Sequence, residues 1–356
     1  MKTIAHSPHA HAPVTVSRVM LTVMLALLPA TLYGFWIYGW PAFNIWVVTL
    51  LAAVIGEAFV LRLQQRPVRP VLSDCSGLLC AWLLAISLPP WTPWWIALLG
   101  SWFAVIIAKH VYGGLGQNPF NPAMAARVML LISFPVEMTT WIAPLDSAHA
   151  PGWLQGLAVT FTGAQVDGMA SASLLGHVKT EFTRGIELQQ ALAGYYAPLQ
   201  ALWGNRAGSM GETAALLLLA GGLFLIARRI ITWHAPVAML VGVFVPSLLF
   251  SSINPVHYAG PLYHLLSGGL ILGAFFIITD PVTSPNTATG QLIYGLCCGL
   301  LTWIIRTWGG YPEGVAFAVM LMNAATPFID HYVKPRIYGR NRKGDSVSLE
   351  PVKKGA

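Results

Sequence analysis

Apolar runs alternate with short polar breaks along nearly the whole chain. A bilayer-spanning helix needs about 17–25 predominantly apolar residues. Ten such runs are predicted, at 18–39, 43–61, 73–90, 94–111, 119–135, 210–227, 235–252, 262–279, 290–306 and 313–329. One long polar interruption separates the fifth from the sixth. The chain therefore divides into a first five-helix repeat (1–135), a polar region (136–209), a second five-helix repeat (210–330) and a basic tail (331–356). Within the polar region a helix is predicted around Leu188–Leu202 from its apolar periodicity.

Composition agrees with the pattern. Of 356 residues, 56% are hydrophobic and 9% charged, against roughly 25% charged in soluble domains. The fold class read from this is an all-α integral membrane protein with ten transmembrane helices and an extracytoplasmic loop region between helices 5 and 6. The net charge of +7 raises nucleic-acid binding, but the distribution argues against it. With both termini inside, only Lys179, Arg184, Arg206 and Arg306 of the 20 Lys and Arg residues fall outside, while Lys109 and Arg127 count as inner. The positive-inside rule then makes both termini cytoplasmic and turns 136–209 outward. That region has no cysteine, which suits an oxidising compartment. Cys75, Cys80, Cys297 and Cys298 sit in apolar runs without metal-type spacing and read as small buried hydrophobes. Met1-Lys2-Thr3 has no signal-peptide pattern, so the first span is expected to remain. His6, His9 and His11 read as a solvated cluster.

Five spans per half is an odd number, so the halves must run in opposite directions. Span four ends His110-Val111-Tyr112-Gly113-Gly114, and span nine ends Arg306-Thr307-Trp308-Gly309-Gly310. Span three carries Ser76-Gly77 and ends at Pro89, and span eight carries Ser267-Gly268 and ends at Pro281. This predicts two inverted repeats, an arrangement that places ligands at the repeat interface.

Four polar features stand out. Gly113–Ala123 holds two Asn-Pro pairs and three glycines, and irregular backbone at membrane depth must be buried in protein or line a cavity. Asn118 and Asn121 offer amides to a polar ring, although Asn121 before Pro122 is also an ordinary helix cap. Asp280 ends an apolar span and suits a cap, a cation or a ligand N–H. Glu57 lies inside span two and either serves a function or reaches toward Arg62. The fourth feature is Val166-Asp167-Gly168-Met169-Ala170-Ser171-Ala172-Ser173, where hydroxyls sit beside small residues and an acid. Ser173 is either a loop serine or a point of cofactor attachment. No phosphate-binding loop, dinucleotide fingerprint or haem-type histidine pair is present, so no machinery to oxidise a soluble substrate alone is evident.

The stretches Tyr112–Ala123, Phe275–Val282 and Gly309–Val319 resemble the D-subunit family of Rnf electron-transport complexes, related to the B subunit of the sodium-pumping NADH:quinone reductase. The resemblance runs from about Ser7 to about Gly339. It implies an inverted-repeat fold like that of urea channels. It also implies a covalent FMN, phosphoester-linked within an Asp…Ser-Gly-Ala-Thr motif by a flavin transferase outside the cytoplasm, and a non-covalent riboflavin in the membrane domain. Asp167 takes the place of the motif's acid and Ala170-Ser171-Ala172-Ser173 that of Ser-Gly-Ala-Thr, so Ser171 stands for Gly and Ser173 for the acceptor Thr. Ser171 and Thr180 are competing acceptors. Asn118, Asn121 and Asp280 are the residues expected around riboflavin or an ion. The implied activity is electron transfer between ferredoxin and NAD(H) coupled to Na⁺ or H⁺ movement, in a bacterial inner membrane, with Rnf subunits A, B, C, E and G as partners. A passive channel for a small polar solute is the alternative, since fold alone does not specify function.

Overall fold

The computed structural model describes residues 15–145, 151–163, 170–192, 194–196, 198–204 and 206–335. Asp167, the N-terminal histidines and most of the basic tail lie outside them. The described chain is mostly helical, with an apolar core shared by both halves.

Helix α1 (Val16–Leu63) covers the first two predicted spans and reverses at Gly39, whose φ of 70° favours glycine. Pro41 then opens the returning arm. Ser17 Oγ donates to the Ser73 carbonyl (2.8 Å), and Arg66 Nη1 donates to the Gly113 carbonyl (2.8 Å). Lys109 Nζ and Ser76 Oγ, 2.6 Å apart, join those two neighbourhoods. Both ends of α1 therefore lie on one face, here called the far face. Gly39 lies on the opposite face, where Trp91 Nε1 donates to the Tyr38 carbonyl (3.1 Å) and the Tyr38 hydroxyl donates to the Arg206 carbonyl (3.0 Å).

After the short α2 (Val68–Leu72) come α3 (Ser76–Ser87), α4 (Trp94–Trp102) with a π-helical continuation Phe103–His110, and α5 (Pro122–Ser133). The region on the Gly39 face contains α6 (Pro135–Thr139), β1 (Trp141–Ile142), α7 (Trp153–Thr162), β2 (Ala170–Ser171), α8 (Leu174–Thr183), α9 (Leu188–Leu192) and α10 (Pro198–Trp203). The single helix expected around Leu188–Leu202 is thus two, separated before Pro198. The second half has α11 (Ala215–Ala227), α12 (His234–Ile253), α13 (Pro261–Leu266), α14 (Leu270–Leu272) running into π-helical Gly273–Ile277, α15 (Ala288–Trp308) and α16 (Val315–Tyr332).

Three of the predicted spans are shorter as helices than as apolar runs. Helices α3 and α5 have 12 residues and α11 has 13. That is about 18–20 Å of rise, against about 30 Å of hydrocarbon. Predicted span eight is broken at Ser267-Gly268-Gly269, where Gly268 has φ 65°. Among the described helices three are long and apolar enough to cross by themselves: Val16–Leu63, which does so as a hairpin, His234–Ile253 and Ala288–Trp308. Hydropathy does not register whether an apolar run is helical throughout. The irregular backbone is buried in protein and finds partners there, as where Gly211 N–H donates to the Ile86 carbonyl (2.6 Å).

Helices α12 and α15 pack through glycines. An added Cβ at Gly242, Gly295 or Gly299 would strike a backbone carbonyl of the facing helix, those of Leu296, Ala235 and Met239 respectively. Backbone cannot move aside as a side chain can, so Gly299→Val is expected to cost about 1–3 kcal/mol or more. A lowered midpoint in detergent melts would register it; an unchanged midpoint would show that the helices part freely.

Candidate functional site

On the far face a cavity of about 110 Å³ opens between the halves. Ser76, Lys109, Asn118, Asn121 and Asp280 line it, against Cys80, Phe275 and Phe276. Asn118 and Asn121, neighbours in the chain, thus meet the distant Asp280 at one cavity. Each also has local duties. Asn121 Oδ1 accepts from Ala123 N (3.1 Å) and Met124 N (3.2 Å), so it caps α5. Asn118 Nδ2 donates to the Phe120 carbonyl (3.1 Å). The Asp280 carboxylate accepts from Val282 N (3.3 Å) and Thr283 Oγ1 (3.1 Å).

On the loop face, Ser173 is the N-cap of α8, its Oγ accepting from Gly176 N (3.2 Å). It is buried, whereas Ala172 is exposed and Ser171 lies between the two. Ser171 pairs with Trp141 in the two-stranded β1–β2 ribbon, with Ala170 opposite Ile142. The rival acceptor Thr180 has its hydroxyl turned back to the Gly176 carbonyl (2.9 Å) inside α8. Helix α8 packs by Leu174, Leu175 and Val178 against Leu188, Ala259 and Tyr263. Lys179 Nζ donates to the Tyr311 carbonyl (2.9 Å) between α15 and α16. Under this helix is a second cavity, of about 450 Å³.

Comparison with known proteins settles the family. The sequence model of the NQR2, RnfD, RnfE family matches residues 3–339. The chain belongs to this family. It is 54% identical over 333 residues to the D-subunit protein of the ion-translocating oxidoreductase complex of Stutzerimonas stutzeri, covering 93% of this chain and 94% of that protein. The protein of the same name from Halorhodospira halophila (strain DSM 244 / SL1) is 48% identical over 353 residues, covering 98% and 99%. That from Escherichia fergusonii is 44% identical over 354 residues, covering 96% and 99%.

In this NQR2, RnfD, RnfE family chain, ionic clusters mark both faces. Near the far face Glu57 Oε1 lies 2.6 Å from Lys109 Nζ and 2.9 Å from His110 Nε2. Glu57 therefore pairs across the helices rather than with Arg62. Lys109, counted from sequence as an inner-surface charge, is 2% exposed. Near the loop face Arg306 Nη2 lies 3.0 Å from Glu313 Oε1, and Arg306 Nη1 donates to the His264 carbonyl (2.6 Å). Glu313 also accepts from Gly269 N (2.9 Å) at the break in span eight. A Cβ at Gly77 would collide with the Glu57 carboxylate, and one at Gly268 with that of Glu313. The two Ser-Gly pairs thus each sit against a carboxylate and a base from the end of span four or nine. A third cluster lies between them: Arg127 Nη1 donates to the Ser87 carbonyl (2.7 Å), with Nη2 3.9 Å from Glu212 Oε1. Arg127 thus serves the interior and not the far-face surface. Neither Glu212 nor Glu313 was assigned a role from the sequence, although Glu313 lies in the family-like stretch Gly309–Val319; the other signal was a lone carboxylate at the opening of an apolar run.

Proposed function

We propose that this chain is the D-type membrane component of an ion-translocating oxidoreductase complex, carrying electrons by way of bound flavin while the complex moves Na⁺ or H⁺. End-to-end similarity to relatives bearing that name carries the proposal. Other subunits of the same complex are its partners, those expected being A, B, C, E and G.

The membrane part is proposed to form ten spans as two inverted five-helix repeats. The α1 hairpin supports this, as do the matched Ser-Gly, base and carboxylate clusters on opposite faces. The far face is proposed to face the cytoplasm of a bacterial inner membrane and the loop face to point outward, a reading that Arg18, Arg62, Arg66, Arg69, Arg228, Arg229 and Lys334 at the far-face ends of the helices support through the positive-inside rule.

Ser173 is proposed to hold FMN as a phosphoester. The residues fit the group. Its Oγ sits at the N-terminus of the ten-residue α8, where backbone N–H groups and the helix dipole favour a phosphate. Gly176 leaves room beside that oxygen, since a Cβ there would lie 3.2 Å from it. FMN supplies reversible electron transfer when bound. The protein supplies the tether, the electrostatics and the exclusion of water. Asp167, Ser171 and Ala172 complete the attachment motif, read by a flavin transferase.

Riboflavin fits the far-face cavity less well. About 110 Å³ is below the roughly 300–1,000 Å³ of cofactor pockets, so its ring reaches Asn118, Asn121 and Asp280 only if the lining parts.

The test is mass spectrometry of the peptide holding Ser171 and Ser173, from protein matured with its transferase. An increment of FMN less water on Ser173 is expected. A wholly unmodified peptide from mature complex would reject the tether and revive the passive-channel alternative.

A further inference from the structure

We infer that the flavin ring tethered at Ser173 docks in the loop-face cavity, between α8 and the ends of α13 and α15, with Lys179 and His264 as its polar partners. This rests on the FMN tether proposed above and adds where the ring goes.

Size comes first. The cavity holds about 450 Å³, inside the roughly 300–1,000 Å³ range of cofactor pockets. Reach comes next. Leu175, Val178, Lys179 and Phe182 line it, and their spacing puts them on one face of the helix that Ser173 begins. Lys179 is six residues from Ser173, about 9 Å along the helix axis, a span suited to a flexible sugar-alcohol chain between phosphate and ring. The lining includes the aromatic rings of Phe182, Tyr258 and Trp308, which suit a planar group.

The polar atoms supply an independent reason. His264 is 5% exposed and lines the cavity, and its Nδ1 has no partner among the described residues; Thr307 Oγ1, also lining it, has none among them either. A buried polar atom left unpaired costs about 1–3 kcal/mol. Both atoms lie behind the cavity surface, so a ligand with N–H and C=O groups along one edge pairs with them once the His264 and Thr307 side chains turn toward it, while its apolar edge fills the aromatic remainder. Lys179 adds a positive charge at the rim, with two of its three donors directed to the Tyr311 and Ile305 carbonyls. Arg306 is held by Glu313, His264 and Ser267 and serves as wall.

Gly310 gives the test. It lines the cavity, and a Cβ there meets nothing within 4 Å, so Gly310→Trp puts a bulky ring at the cavity wall without displacing backbone. The subunit, matured with its transferase, is measured native and denatured, with Ser173→Ala protein subtracted as background for non-covalent flavin. Wild type and Gly310→Ala should show native fluorescence strongly quenched by the aromatic walls and released on denaturation. Gly310→Trp should lose that quenching while its denatured covalent signal stays unchanged. Lys179→Gln should lower the midpoint potential of the tethered flavin, because a nearby positive charge favours added electrons. If Gly310→Trp keeps both its tether and full native quenching, the ring docks elsewhere and only this inference fails. If wild type has no covalent flavin, the tether fails and this inference with it.

Discussion

Ser173→Ala is expected to remove covalent flavin completely. Denatured protein separated on a gel should show in-gel fluorescence for wild type and none for the variant at equal stain. The reason lies in α8. Of the three nearby hydroxyls, only that of Ser173 sits at a helix N-terminus, where a phosphate is stabilised by free N–H groups and the dipole. Ser171 is held in a strand pair and Thr180 is bonded back into its helix, so Ser171→Ala and Thr180→Ala should retain the signal. Ser173→Thr should retain it too, since threonine offers the same hydroxyl and also caps helices. Loss of the cap alone costs about 0.5–2 kcal/mol, too little to empty the membrane of folded protein. Full fluorescence in Ser173→Ala would show that another residue carries the flavin.

The largest stability effect is expected at Glu57. Its carboxylate is buried, 2.6 Å from Lys109 Nζ and 2.9 Å from His110 Nε2. Glu57→Gln keeps the shape but removes the charge, leaving Lys109 as a buried cation beside neutral acceptors only, the new amide oxygen and the Ser76 hydroxyl. Breaking one side of a buried pair costs about 3–5 kcal/mol, whereas removing both charges is far milder. Glu57→Gln should therefore melt well below wild type in detergent, and Glu57→Gln combined with Lys109→Met should recover most of the loss. A double variant no more stable than the single would show that the pair is not the source of the effect. The same network lines the far-face cavity through Ser76 and Lys109, so its loss should also disturb whatever polar species occupies that space.

The membrane architecture was legible because lipid imposes a simple rule. Apolar length marks a span, and the break left at residues 40–42 between the first two runs falls beside the reversal at Gly39. Local chemistry also singled out Asn118, Asn121 and Asp280, through Asn-Pro breaks at one span opening and a carboxylate at another span's end, whereas their common cavity came only with the structure. Ser173 stood out by its neighbours, hydroxyls beside small residues, but its place at the head of α8 came only with the structure. Shortening of α3, α5 and α11 did not follow from sequence, because buried irregular backbone is as apolar as helix and hydropathy weighs side chains only. Arg127 and Lys109 were assigned to the wrong environment for a related reason. Charge counting assumes that cations near span ends face water, and here each faces a carboxylate from elsewhere in the chain.

Sequence by itself thus determined that this is a membrane protein of the NQR2, RnfD, RnfE family, how its apolar runs are spaced, and which hydroxyls and amides are the candidates for chemistry. Only the tertiary structure decided the partners of Glu57, Arg127 and Arg306, and it alone produced the cavity beneath α8. Periodicity and propensity act over a few residues, whereas those pairings join positions from 7 to 85 apart through interhelical packing. No local signal in a chain specifies which buried cation its distant carboxylates will meet.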